Sequence, residues 1–416
     1  MSFQEALSGL NAASADLRVI GNNVANASTT GFKASRAEFA DIYAVSNLGI
    51  SANAIGSGVK VARVAQQFTQ GNVEFTQNNL DMAINGGGFF VLSDNGTRAY
   101  TRSGQFGADN QGYVVNSSGQ RLQAYQADTA GNITGAIGDL RLDSSDLVPK
   151  ATTNIELGLN LDATQTPPAT APFDPATPAS YNHSTSLTVY DSLGSPHLAT
   201  TYYVNTAPNQ WNSYLFVDGS PVRGGPPYTA DTLTFNGTGQ LAQINGAAVP
   251  PGTLTYPPYN PGNGAANLTL TLNYTGGTPT TQFGSNFGVN ALTQDGYTTG
   301  RLSSVDVSNE GIVQARYTNG QTRTLGQVAL ANFANPQGLR QLGDTNWAES
   351  YDSGAALVGA AGTSSLGTIQ SGAREDSNVD LTQQLVNMIT AQRNFQANAQ
   401  VIQTNSTVTQ AIIQIR

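Results

Sequence analysis

Side chains that commonly carry acid–base or nucleophilic chemistry are scarce in this chain. There are two histidines, His183 and His197, three lysines, Lys33, Lys60 and Lys150, and no cysteine. Both histidines fall in a proline-rich stretch and the lysines are scattered, so the spacing offers no nucleophile beside a base. Asp139, Asp143 and Asp146 in "DLRLDSSD" raise calcium as a ligand, but they lack the ligand spacing of an EF-hand loop. They read as a solvated junction between domains. "NGGGFF" (85–90) is glycine-rich but lacks the Lys-Ser/Thr of a phosphate loop, and reads as a tight strand entry. The absence of cysteine excludes disulfides and thiolate metal sites. The expectation is therefore no catalytic residue, no cofactor and no metal. Recognition between surfaces is left, which turns attention to the elements that present them.

The 416 residues are enough for several domains, and 39% are hydrophobic. Only 11% are charged, against a usual share of about 25%. Amides, hydroxyls and glycines must then form much of the surface. A net charge of −9 argues against nucleic acid and against anionic membrane surfaces as partners. No apolar run approaches the ~18 residues of a membrane span. The start of the chain has neither a basic region nor a continuous apolar one, so no cleaved secretory signal is expected.

Seventeen of the 18 prolines lie between Pro149 and Pro279. This composition shift predicts an inserted domain over 146–284, with 71–145 and 285–371 forming one domain split in sequence. Both read as antiparallel β, sandwich-like or barrel-like. "LTLTLNY" alternates Leu268, Leu270, Leu272 and Tyr274 with polar residues, the period of a half-buried strand. "VALANF" (328–333) is a second strand. "SDNGT" (93–97), "VDGS" (217–220) and similar stretches carry the Asn-Gly and Asp-Gly pairs that supply positive φ to tight hairpins.

The ends are helical. Ser2 and Glu5 form a capping-box pattern. Leu7, Leu10, Leu17, Ile20 and Val24 then follow at helical spacing, and Gly31 is a plausible stop. Near the other end Ser377 and Asp380 repeat the capping pattern, and Leu381, Leu385, Met388, Gln392, Phe395, Ala399 and Ile402 step by four and three, a coiled-coil seam. About 25 residues of helix reach about 37 Å and about 37 residues reach about 55 Å, so the first helix cannot cover the second. Part of the later seam then needs another chain, although an intramolecular hairpin capping a β domain is the alternative. Between Val379 and Arg416 twelve residues are Asn or Gln and only Asp380, Arg393 and Arg416 are charged. Amide-rich faces can meet other protein faces without burying charge.

Three blocks carry a resemblance. "LRVIGNNVANASTTGFKASRAEF" (17–39), "QGNVEFTQNNLDMAINGGGFFVL" (70–92) and "SNVDLTQQLVNMITAQRNFQANAQVIQT" (377–404) are similar to the ordered blocks of the flagellar rod and hook axial-protein family. Arg374, Asp376 and Ser406 depart from its usual pattern. The blocks do not cover 146–284. A chain of this length with one β insertion resembles the hook members of the family more than the shorter rod members.

The resemblance implies a self-assembling subunit of a hollow, curved, flexible tube that transmits torque. Residues 1–30 and 372–416 would build the tube, 31–70 would be a connector, and 146–284 an outer domain. Asn22, Asn23, Asn26, Thr30, Gly31, Phe32 and Lys33 would form the connector motif. Implied partners are further copies of the chain, the distal rod protein, the hook–filament junction protein, the hook cap protein and the flagellar type III export apparatus. The implied location is outside the cell. A long distal-rod-like protein and, from a different class, a secreted β-rich adhesin with a helical anchor are the competing readings.

Overall fold

The computed structural model describes residues 3–42, 56–128, 130–143 and 145–414. Ser2 of the first capping pattern and residues 43–55 of the expected connector lie outside them. Among the described residues the chain is mainly antiparallel strand, with a helix at each end: α1 at Phe3–Ala25 and α2 at Leu381–Gln414. Neither helix is long and apolar enough to cross a membrane. Two compact units are present. The first comprises Met1–Ser144, Ser303–Arg316 and Thr322–Arg416; the second comprises Ser145–Leu302 and Tyr317–Gln321.

The first unit begins, after α1, with a hairpin of β1 (Ser35–Asp41) and β2 (Val59–Gln66). β3 (Val73–Phe75) pairs with Ala373–Glu375, and β4 (Met82–Asn85) with Thr368–Ser371. Residues far apart in sequence thus close the unit. β5 (Phe89–Asp94) and β6 (Thr97–Thr101) form a hairpin whose turn places Asn95 at φ 50° and Gly96 at φ 93°, as the Asn-Gly pair predicts.

β5 also pairs with Thr322–Asn332, which places Leu330 opposite Phe90. Successive side chains on these two strands point to opposite faces. Phe90, Leu92, Val328 and Leu330 enter one core with Met82 and Ile84, while Phe89, Val91, Ala329 and Ala331 enter another with Tyr100 and Trp347. A sheet covered on both faces explains why "VALA" has no polar alternation. Each fully buried Leu or Phe contributes roughly 1.5–3 kcal/mol.

In the second unit, strands His183–Tyr190, Pro196–Ala207, Gln210–Val217, Asp231–Phe235 and Leu241–Ile244 follow one another across a sheet in chain order. Leu268, Leu270, Leu272 and Tyr274 are all buried, in one core with Trp211, Tyr203 and Leu233. Residues 285–302, expected with the split domain, belong here. Gly288–Gln294 pairs with Asn154–Asn160, Leu292 opposite Leu157, and contains no proline to betray its membership. The unit's first and last segments run side by side: Leu147 N–H donates to Gly300 O at 2.7 Å, and Lys150 and Tyr297 exchange both backbone bonds. The loop "TPPATAPFDPATP" folds back so that Phe173 stacks on Tyr214, with ring centroids 4.1 Å apart.

His197 ties three turns of this unit together. Its Nδ1 lies 2.6 Å from Asp218 Oδ2 and its Nε2 3.1 Å from Asp191 Oδ2, which also accepts from Asn263 Nδ2 at 2.5 Å. Burial works against the charged imidazole, but the two carboxylates outweigh it and raise the His197 pKa above its ordinary value. Burial likewise opposes the Asp191 charge, and hydrogen bonds from Asn263, His197 and two backbone amides overcome it and lower that pKa.

Candidate self-assembly site

The helices pack antiparallel. Asn23 Nδ2 donates to Gln384 Oε1 at 3.3 Å, and a Cβ on Gly9 would lie 2.6 Å from Asn398 Oδ1. These contacts are fourteen residues apart on each helix, so the pair stays in register. α1 has 23 residues and α2 has 34, and α2 runs on past the start of α1. The α2 cap differs from the expected Ser-x-x-Asp box. Helix begins at Leu381, which makes Asp380 the N-cap, and its Oδ1 accepts from Gln383 N–H at 3.1 Å.

The expected seam separates into two faces. Ala6, Ala12, Ala13, Ile20 and Asn23 of α1 are buried, and Ala391 of α2 is 1% exposed. Of the remaining seam residues, Leu10, Leu17, Val24, Met388, Phe395 and Ile402 are half-buried. Leu7, Leu381 and Leu385 point outward, at 40%, 49% and 51% exposure, as do Phe3, Val386 and Ile389. The cause is geometric. Gly and Ala let the two backbones approach, so the inner contact needs few large side chains. Leu381, Leu385 and Ile389 stand four apart and share a different side of α2.

The connector motif is assembled around buried polar groups. Asn23 is 1% exposed and holds both backbone groups of Ser35: Ser35 N–H donates to its Oδ1 at 2.8 Å, and its Nδ2 donates to Ser35 O at 2.7 Å. Asn378 mirrors it, accepting from Ala34 N–H at 2.7 Å and donating to Gln67 O at 2.7 Å. Two amides thus continue the β1–β2 ladder where the strands stop. Asn26 turns back to Asn22, its Nδ2 donating to Asn22 O at 2.9 Å. Thr30 and Phe32 are half-buried. Gly31 adopts φ 71° against the backbone of Arg102 and Ser103, where any Cβ would collide.

Lys33 is fully buried, with Nζ 2.7 Å from Thr69 O and 2.5 Å from Glu375 Oε1. Glu375 Oε2 accepts from Arg102 Nε at 2.9 Å. Burial lowers the pKa of both cations, and Glu375 opposes that shift in each case.

Four families match this chain in order. Residues 3–33 match the flagella basal body rod protein, and 83–160 the flagellar hook protein FlgE/F/G D1 domain. Residues 160–297 match the flagellar basal body protein FlaE D2 domain, and 370–415 the flagellar basal body rod FlgEFG protein C-terminal. The flagellar hook protein FlgE of Salmonella typhimurium is 40% identical over 423 residues, covering 100% of both chains. The chain belongs to the flagellar hook protein FlgE family.

Other hook proteins agree. The Escherichia coli hook protein is 40% identical over 426 residues, covering 100% of both chains. That of Borreliella burgdorferi is 33% identical over 445 residues, covering 100% of this chain and 99% of the relative. The crystal structure of Helicobacter pylori hook protein FlgE2 covers 71% of this chain and 99% of its own, with a TM-score of 0.54 at 13% identity, a likeness of fold. The chain is thus a structural subunit of the bacterial flagellar hook, a self-polymerising part of the flagellum outside the cell.

Sequence reasoning missed Arg102, Glu375 and Asn378 in this hook subunit. Arg374 and Asp376, which depart from the family pattern, flank Glu375; Arg374 turns outward from the strand Ala373–Glu375 and meets Glu74 at the surface. A signal was present. Lys33 is one of three lysines and has no carboxylate within two residues on either side, so its burial would demand a distant acid.

Proposed function

We propose that this hook subunit works mechanically and not as an enzyme, forming a curved, flexible, hollow tube that acts as a universal joint between rod and filament. The observation that carries this reading is the set of outward-turned apolar side chains on the helix pair, Phe3 and Leu7 towards one end and Leu381, Leu385, Val386 and Ile389 towards the other. Those side chains stay exposed after α1 and α2 have satisfied each other. A second copy of the chain is the partner that repeats such a face along a tube. Leu7, Leu10, Leu17, Ile20, Val24, Leu381, Leu385, Met388, Phe395 and Ile402 form the assembly region, the inner ones holding the pair and the outer ones joining copies. The low charge elsewhere suits contacts that slide as the tube turns, since rim polar contacts contribute little each. Family membership supports the distal rod protein, the hook–filament junction protein and the hook cap protein as neighbours. It also supports export through the flagellar type III apparatus with no cleaved signal.

Electron microscopy of purified chain, concentrated until it polymerises, tests the reading. The unmodified chain should give curved tubes and Leu385→Asp none. Burial of a leucine contributes roughly 1.5–3 kcal/mol, and an unpaired buried carboxylate costs several more. Asn394→Asp, exposed on the opposite side of α2, should assemble normally. Straight, rigid polymers would indicate a rod protein. A chain that stayed monomeric at every concentration would indicate an adhesin. Equal assembly by both variants would remove the outer face from the contact.

A further inference from the structure

Tyr351 is 100% exposed, more than any other large hydrophobic side chain among the described residues. Its backbone is nonetheless held fast. On one side, Ser350 N–H donates to Ser353 Oγ at 2.8 Å and Ser350 Oγ donates to Gly338 O at 2.5 Å. On the other, Asp352 O accepts from Asn335 Nδ2 at 2.9 Å and Ser353 O accepts from Asn335 N–H at 3.2 Å. Ser353 is 0% exposed, and Gly338 lies so close to the backbone of Asp352 and Ser353 that any Cβ there would collide. A free aromatic ring thus stands on an ordered turn. Placing it against a partner costs little entropy, and its apolar body and hydroxyl tip offer a large amphipathic contact.

The same unit holds a cavity of about 420 Å³, with Phe32, Gln105, Ser117, Asp344, Thr345 and Trp347 among its walls. The lining is amide, hydroxyl and aromatic. Lys33 is already neutralised by Glu375, which leaves Asp344 as the remaining charge among the lining residues. An uncharged aromatic group with a polar tip suits such walls. Knob and hole belong to opposite ends of one hairpin. Strands Arg340–Gly343 and Asn346–Ala348 pair antiparallel, with Arg340 opposite Ala348 and Gly343 opposite Asn346. The turn at Asp344 and Thr345 borders the cavity, whereas Tyr351 follows the open end, where its own turn is bonded to Gly338. The length of the hairpin separates Tyr351 from the cavity of its own chain.

We propose that Tyr351 of one copy inserts into this cavity of the next copy in the tube. The inference rests on the reading of the chain as a tube-forming subunit, and it adds a contact outside the helices. A knob and a hole at different places on one surface make a heterologous contact. Such a contact repeats head to tail without closing as a dimer, which suits an open helical polymer. Residues 26–33 follow α1 and supply one wall, so the cavity is complete where α1 is held, in the tube. No contact within a lone chain is required.

Photo-cross-linking of assembled tubes tests this. Tyr351→benzoylphenylalanine keeps an aromatic group at the position. Tubes grown from equal parts of heavy-isotope-labelled and unlabelled chain distinguish links between copies from links within one. Irradiation should join residue 351 to the cavity wall of another copy, at Gln105, Ser117 or within 341–347. The lowest concentration at which tubes form gives the size of the contact. Tyr351→Ser should raise it about 10-fold or more, while thermal melting of the unassembled chain stays unchanged, because the side chain is fully exposed. Ser117→Phe, which fills the cavity from an exposed position, should raise it similarly, and the double variant no further. The proposal is overturned if Tyr351→Ser assembles at the parent concentration, if links form within one chain or to other surfaces, or if the two substitutions multiply in effect. Unmodified chain that formed no tubes would remove the tube reading and this contact with it; tubes without the link would remove the contact alone.

Discussion

The second unit and the terminal helix pair use large side chains in opposite senses. In the second unit Trp211, Tyr203, Leu233 and Tyr274 point inward and are 0% exposed. In the helix pair alanines and a glycine lie inside, while Phe3, Leu385 and Ile389 are half or more exposed. One region encloses its large apolar groups, and the other leaves several of them at its surface. The contrast teaches that apolar content does not by itself measure self-sufficiency; the direction in which it points does.

Truncating the self-sufficient core should have the largest effect. Trp211→Ala should cost about 3–5 kcal/mol in the second unit. Urea unfolding with hydrogen exchange should show the strand Asn154–Asn160 opening while α1 and α2 keep their exchange rates. Parallel loss in the helices would erase the contrast.

The His197 tie sharpens the comparison because it titrates, while the charges beneath the helix pair are sealed. Its raised pKa means that its contribution is fully present below the ordinary value of 6.5 and is lost as pH rises through the raised value. Asp191 is lowered, so its contribution is present above 3.8 and is lost as pH falls. The second unit should be most stable between these values. His197→Gln should remove about 2 kcal/mol there and flatten the fall on the alkaline side. Melting temperatures of the two chains across pH will show whether their difference shrinks above neutrality; a constant difference would refute the titration.

The smallest effect is expected on the outward face. Ile389→Ser should alter the stability of the unassembled chain by no more than about 0.5 kcal/mol, since the side chain is 51% exposed. A loss above 1.5 kcal/mol in calorimetry of dilute chain would mean that this face already packs within one molecule.

Local signals were legible in the sequence. The alternation of Leu268, Leu270, Leu272 and Tyr274, the turn at Asn95–Gly96 and the run of both helices follow from short-range rules. Three features escaped. The two faces of α2 look like one stripe in the sequence because alanine contributes close approach without a strong hydrophobic period. Glu375 pairs across 342 residues, and although Lys33 lacks a nearby acid, one sequence does not say which distant carboxylate answers it. The segment 285–302 lacks the proline that marks the second unit in sequence, whereas the ladder of Gly288–Gln294 to Asn154–Asn160 decides where it folds.

The backbone bonds between Leu147 and Gly300 set the two ends of the unit's long segment, Ser145–Leu302, one strand spacing apart, about 5 Å. Such a pair of ends can be cut and rejoined by a short linker without stretching what remains. An unrelated domain with adjacent termini could be spliced in at the same point. The chain is thus built as a socket and an insert.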